Sequence, residues 1–197
     1  FYKNTGINNY PDFEYQQNDF VQEGMIEIGE GAHPVFFDYN ADGLTDILVG
    51  SYGKYNPAVG PLLYESSLWL YENIGTATKP AFQLVDNDYA NISNMNLDLS
   101  GSQPTLGLAP AFGDIDGDGD EDMMLGDYHG YLHYFVNTAG AGNPPNFVLS
   151  QVQFEGFDVG QDATPILYDL DNDMLLDLIV GNQLGTFYYY HNDGTST

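Results

Sequence analysis

The sequence predicts an all-β chain built from about three repeats, each of four short antiparallel strands. Three observations carry this. Three segments align without gaps: HPVFFDYNADGLTDILVG from His33, APAFGDIDGDGDEDMMLG from Ala109 and TPILYDLDNDMLLDLIVG from Thr164. The runs between turns are short, apolar and aromatic, and no window shows a helical period. The 197 residues are 43% hydrophobic and 15% aromatic, enough for a packed core and unlike a disordered acidic chain.

The repeat is read from its landmarks. A proline precedes the first Asp of each copy by four residues (Pro34/Asp38, Pro110/Asp114, Pro165/Asp169). A glycine follows that Asp by twelve (Gly50, Gly126, Gly181). An aromatic stretch then ends at Asn73, Asn137 or Asn192, and a Pro-x-Phe follows the first two of these (Pro80/Phe82, Pro145/Phe147). The first Asp residues lie 76 and 55 residues apart, and insertions within 51–66 and 86–103 account for the longer spacing. The unit is therefore about 55 residues long.

Within a unit, PVFFD and DILVG read as a hairpin around an Asp/Gly turn. SLWLYEN, YLHYFVN and FYYYHN are third strands, and FQLVD and FVLSQVQF open fourth ones. Four antiparallel strands per unit fit a β-propeller blade better than a β-helix rung. The opening FYKNTG and the PDF from Pro11 match the end of a third strand and the start of a fourth. The expectation is a single β-propeller-type domain or sector over 1–197: a partial blade 1–32, blades 33–108 and 109–163, and an incomplete blade 164–197. Three units and a part are too few to close a ring.

Composition excludes several functions. There are 29 Asp and Glu against 3 Lys and no Arg, a formal charge of −26, which repels phosphate backbones and anionic membranes. No apolar run approaches the length of a membrane-spanning helix, so neither nucleic acid nor membrane insertion is expected. No cysteine is present, which removes disulfides, thiolate metal sites and cysteine nucleophiles. No signal sequence follows Phe1, so the chain reads as processed or as part of a longer one.

The chemistry lies in the loops between the first two strands, which read D-x-[DN]-x-D-x-x-x-D. The first offers Asp38, Asn40, Asp42 and Asp46, with the Leu44 carbonyl at position seven. The second offers Asp114, Asp116, Asp118, Asp120 and Asp122. The third offers Asp169, Asp171, Asp173 and Asp177, with the Leu175 carbonyl. Alternating oxygens on a flexible loop, without nitrogen or sulfur, suit calcium: up to three Ca2+ ions. An EF-hand needs a Glu at position twelve, where this chain has Val49, Leu125 and Val180. Asp, Asn and Gly are also ordinary turn formers, but the same spacing and flanks in three places outweigh that reading.

The pattern P-x-[FL]-x-D-x-D-x-D-G-x-x-D-[IL]-x-x-G, followed by G-x-L-x-[YF]-x-x-N and P-x-F, resembles the FG-GAP/VCBS repeats of integrin α-subunit-like β-propellers. The resemblance covers essentially the whole chain. It implies a calcium ion in each hairpin loop, an extracellular or cell-surface location, and a role in adhesion, assembly or scaffolding rather than catalysis. Asn40 replaces a carboxylate, and Met174 stands where Gly43 and Gly119 supply a turn glycine.

The four histidines read as polar strand positions. His129 and His133, four apart in one strand, would sit about 13 Å apart. Tyr52, Tyr55, Tyr64 and Tyr188–Tyr190 either fill blade interfaces or stack on sugars. Asn91-Ile92-Ser93 is the one glycosylation sequon. Two functions follow. One is a non-enzymatic, calcium-stabilised surface module whose partner is a protein, further blades of the same parent chain, or a head-to-tail copy of itself. The alternative is a carbohydrate-binding or carbohydrate-active module with a glycan ligand.

Overall fold

The computed structural model describes residues 2–7, 10–16, 28–55, 64–97 and 105–194. Parts of the expected partial blade (17–27) and of the two insertions (56–63 and 98–103) lie outside the described residues.

The described residues are all-β, with several small antiparallel sheets and, among them, no closed barrel, consistent with a propeller sector. β1 (Tyr2–Asn4) pairs with β2 (Phe13–Tyr15) in a two-stranded sheet. The first four-stranded sheet runs β3 (His33–Phe37), β4 (Asp46–Gly50), β7 (Trp69–Asn73), β8 (Phe82–Asp86). Between β4 and β7, β5 (Lys54–Tyr55) and β6 (Tyr64–Glu65) form a small hairpin. The second sheet runs β9 (Ala109–Gly113), β10 (Asp122–Gly126), β11 (Leu132–Asn137), β12 (Phe147–Gln151). The third has β13 (Thr164–Tyr168), β14 (Asp177–Gly181) and β15 (Phe187–Tyr190). The Asp-rich loops connect the first two strands of each sheet.

Strand alternation gives each sheet two faces, and register makes the three sheets equivalent. One row across the first sheet is Val35–Leu48–Leu70; its counterparts are Ala111–Met124–Tyr134 and Ile166–Ile179–Tyr189. The opposite face carries Phe36–Ile47–Tyr71, Phe112–Met123–Phe135 and Leu167–Leu178–Tyr190. The front row of the first sheet packs on the back row of the second, forming one core with Phe37, Leu68 and Leu108. Met124 and Tyr134 of the second pack on Leu167, Leu178 and Tyr190 of the third, forming the other.

The repeated glycine follows from this stacking. A Cβ on Gly50 would collide with the Leu108 carbonyl, and one on Gly126 with the Ala163 carbonyl, where the next sheet begins. The repeated Asn has an equally local cause. The Asn73 side-chain oxygen accepts the backbone N–H of Gly75 and of Ala81, and Asn137 does the same for Ala139 and Asn146. Asn4 holds Gly6 and Asp12 in the same way between β1 and β2. One side chain thus clamps each turn from third strand to fourth.

Candidate functional site: three acidic hairpin loops

Each loop is folded by its own carboxylates. The position-one Asp accepts two backbone N–H groups: Asp38 from Asp42 (3.1 Å) and Gly43 (2.8 Å), Asp114 from Gly117 (2.8 Å) and Gly119 (3.1 Å), Asp169 from Asp173 (3.1 Å) and Met174 (3.0 Å). Position three accepts the N–H of position five, and position five that of position seven: Asp42 accepts Leu44 N–H at 2.7 Å, Asp118 accepts Asp120, and Asp173 accepts Leu175 at 2.9 Å. This curl needs left-handed backbone at positions four and six. Gly117 and Gly119 supply it in the second loop, Ala41 and Gly43 in the first, Asn172 and Met174 in the third.

The curl gathers some of the expected ligands. Carboxylate oxygens of Asp114, Asp116 and Asp118 lie within 4.8 Å of one another. In the third loop Asp171 and Asp173 meet His191 within the same limit. In the first loop the Asn40 amide donates to Asp42 (3.2 Å) and to Glu72 (3.3 Å).

The position-nine aspartates are placed differently. Asp46, Asp122 and Asp177 are buried and tie loop to third strand through the backbone N–H of Asn73, Asn137 and Asn192. They also accept the N–H of Tyr39, Ile115 and Leu170. Tyr134 and Tyr189 add hydroxyl donors to Asp122 (2.9 Å) and Asp177 (3.2 Å). With two or three donors each, these carboxylates keep at least one further accepting position.

Asp120 behaves unlike Leu44 and Leu175 at the same position. Its side chain is buried, and its Oδ2 accepts the Gly140 N–H at 2.8 Å. Its Oδ1 is buried with no hydrogen-bond partner among the described residues. Burial pushes its carboxyl above the ordinary carboxylate value, and the charge of Asp118 pushes it further. Burial, then Asp122, Asp118 and Asp114, do the same to Asp116. Asp177 moves down instead, chiefly because the Asn192 N–H stabilises its anion. The second loop therefore holds carboxylates under mutual strain and one orphaned oxygen, an arrangement a hard cation satisfies.

Two residues beside the loops escaped the motif reading. Glu72 and His191 each precede the clamp Asn and stand next to position three of their loop; Val136 holds the equivalent sequence position in the second unit. Glu72 meets Asn40, and the His191 ring meets Asp171 at 3.0 Å, which raises the imidazole pKa. Their signal was their place one residue before each Asn, legible once strand register is known.

The histidine reading needs correction. His129 is not in a strand but in the turn Asp127–Gly130. That turn brings His129 Nδ1 to 3.9 Å and His133 Nε2 to 3.3 Å from the same oxygen of buried Asp127. His133 is a strand position in β11, as expected, and is fully buried; its Nδ1 faces the Gln153 N–H. Of the tyrosines, Tyr190 fills an interface, stacked on Phe157 at 4.1 Å. Tyr55, Tyr64, Tyr52 and Tyr128 form a chain of edge-to-face contacts, continued by His129 and Tyr131. The sequon lies in a 3-10 turn, where Ile92 is buried and Ser93 bonds Asp88.

Residues 38–125, from the first residue of the first loop through the second loop into β10, match a family model described as an FG-GAP-like repeat. No curated protein matches the chain.

Proposed function

We propose, from the match of residues 38–125 to an FG-GAP-like repeat model and the repeated four-stranded sheets, that the chain is a non-catalytic, calcium-stabilised β-propeller-type module of an extracellular or cell-surface protein, serving adhesion, assembly or scaffolding. The observation that supports calcium is the gathering of the Asp114, Asp116 and Asp118 oxygens, followed in the same loop by a buried Asp120 that feels the Asp118 charge and whose Oδ1 has no hydrogen-bond partner among the described residues. In the second loop the donor set is all oxygen, as calcium prefers. Asp114, Asp116, Asp118, Asp120 and Asp122 would hold the ion in the second loop. Asp38, Asn40, Asp42, Asp46 and the Leu44 carbonyl would do so in the first, and Asp169, Asp171, Asp173, Asp177 and the Leu175 carbonyl in the third. The bound cation offsets carboxylate repulsion and cross-links each loop. The chain's own part is to curl the loop, orient position one through two N–H donors, and anchor position nine to the third strand.

A cation that binds only the folded chain adds about 2.7 kcal/mol per site at a hundredfold excess over Kd. For a domain of this size that is several degrees per site, so chelation with EDTA should lower Tm by about 10 °C or more, and calcium should restore it. Superimposable melting curves in EDTA and in calcium would overturn the assignment.

The second reading, a carbohydrate-binding or carbohydrate-active module, is supported by the aromatic chain from Tyr55 to Tyr131, which spans the first two sheets. Its partly exposed rings lie at the opposite ends of the sheets from the acidic loops, flanked by Glu30 and Gln161. A glycan array decides it: specific binding lost in Tyr52→Ala and Tyr128→Ala supports this reading, and a blank array removes it.

A further inference from the structure

The position before each clamp Asn holds a different side chain in each unit: Glu72, Val136 and His191. In the first unit the Glu72 carboxylate meets the Asn40 amide at 3.3 Å, which adds oxygen beside the loop. Valine has no ligand atom to add. In the third unit the His191 ring brings Nε2 to 3.0 Å from Asp171 Oδ2. Ligand atoms of Asp171, Asp173 and His191 all lie within 4.8 Å of one another. The other group gathered as closely among the described residues, Asp114, Asp116 and Asp118, is all oxygen. The donor set of the third loop therefore departs from the one calcium prefers.

Two separate elements build this group. The curl of the loop engages Asp171 Oδ1 with the Asp173 N–H (3.2 Å) and Asp173 Oδ1 with the Leu175 N–H (2.9 Å), and Oδ2 of Asp171 is the atom turned to the ring. The histidine comes from just beyond β15, where the Tyr189 ring meets the imidazole edge-on at 6.5 Å and its hydroxyl donates to Asp177. The Asp171 and His191 side chains are each 45% exposed, so water has access to complete a coordination shell. An ion pair this exposed contributes little stability. Glu72 and Val136 at the same place show that the repeat itself does not require an imidazole there.

We propose that the third loop takes a borderline divalent cation of the zinc class in preference to calcium, held by carboxylate oxygens of Asp171 and Asp173 and by Nε2 of His191, with water in the remaining positions. Calcium is bound through oxygen, whereas zinc accepts carboxylate and imidazole together. The proposal rests on the cation reading above for the loop itself and changes the ion in one of its three sites. Asp171 and Asp173 also belong to the calcium set, so the two ions compete for this loop while the all-oxygen second loop keeps calcium. His191 is then the residue that sets selectivity, and the side chain before the clamp Asn sorts the ions among the units.

Calorimetric titration of the 197-residue chain with zinc chloride in a large excess of calcium tests this, at about pH 8 so that protons compete little for the ring. The native chain should bind one zinc ion, and NMR should show the His191 ring resonances moving as it binds. His191→Gln should weaken zinc at least about tenfold, since even an outer partner of a metal ligand is worth that much. The same variant should keep the rise in Tm that calcium produces, which shows that it folds; Asp171→Asn serves as a second variant and should weaken zinc likewise. Zinc affinity indifferent to His191→Gln would overturn the proposal. So would zinc binding that survives His191→Gln and is lost in His129→Gln, because the ion would then sit beside Asp127 instead. No zinc binding by a chain whose Tm calcium still raises would overturn this proposal and leave the calcium reading standing. A chain indifferent to both ions would overturn both.

Discussion

The backbone N–H of Asn73 donates a 2.7 Å hydrogen bond to Oδ1 of the fully buried Asp46, and the same bond recurs between Asn137 and Asp122 and between Asn192 and Asp177. This pair fastens each acidic loop to the third strand of its sheet. The Asp at position nine is therefore a structural anchor whatever the loop holds, and its Asn partner also clamps the turn on its other side.

The first prediction concerns that anchor. Asp122→Ala strands the N–H groups of Asn137 and Ile115 and the hydroxyl of Tyr134. Buried donors left without a charged acceptor should cost about 3–5 kcal/mol in total. Tyr134→Phe removes one charge-assisted bond and should cost about 1.5–3 kcal/mol. Urea denaturation in excess calcium measures both; a cost below that of Tyr134→Phe for Asp122→Ala would refute the anchoring role.

Gly126 and Gly181 occupy equivalent strand ends but different surroundings. Gly126→Ala drives a methyl into the Ala163 carbonyl, backbone that cannot move without separating the second and third sheets. Gly181→Ala meets the Thr164 Oγ1 at 2.7 Å, a group that rotates away. Gly126→Ala should cost about 2 kcal/mol or more beyond Gly181→Ala, in line with overpacked cores. Equal melting temperatures would contradict the observed stacking.

Met174 holds φ at 72° and is 91% exposed, so its side chain packs on little while its backbone is strained. Met174→Gly should stabilise the protein by about 0.5–1 kcal/mol, the left-handed penalty less the greater chain entropy of glycine. The second loop, with glycines at both left-handed positions and Asp120 at position seven, should bind calcium most tightly. Asp118→Ala should then lose more calcium-dependent stability than Asp42→Ala or Asp173→Ala in calorimetry. The reverse order would show that the Gly117–Gly119 curl is not what sets affinity.

Acid should help the cation-free protein. Burial, followed by neighbouring carboxylates, raises Asp116 and Asp120, and burial raises Asp46. A raised carboxyl binds its proton more tightly in the folded state, so its contribution is full below the ordinary value of about 3.9 and is lost as pH rises through the raised one. Asp177, held low chiefly by Asn192, contributes in the opposite sense, above the ordinary value and lost as pH falls through its depressed one. With these three groups raised, melting in EDTA should occur at higher temperature near the ordinary carboxylate value, about pH 4, than at about pH 7. In calcium the order should reverse, because protons compete for the same oxygens. A Tm in EDTA that falls on mild acidification would show that repulsion in these loops is too weak to matter.

What was legible in the sequence was whatever recurs at fixed spacing. Strand alternation, the Asp loops, the Gly at each second-strand end and the Asn before each turn all act within a few residues, so periodicity exposes them. The all-β class and the four-strand unit followed, because backbone pairing and alternation are local properties of the chain. Spacing could not tell which carboxylates point outward: Asp46, Asp122 and Asp177 read as equals of their loop neighbours, and only burial against the third strand turned them into anchors. Nor could it place Glu72 and His191 beside the loops, or bring His129 and His133 to one Asp127 oxygen, since a turn broke the strand spacing on which the 13 Å expectation rested. The sequence by itself determined the repeat, its strands and the acidic make-up of its loops. Tertiary structure alone decided which faces are covered, because stacking joins residues about 75 positions apart, such as Phe37 and Phe112, whose meeting depends on how whole sheets twist and pack.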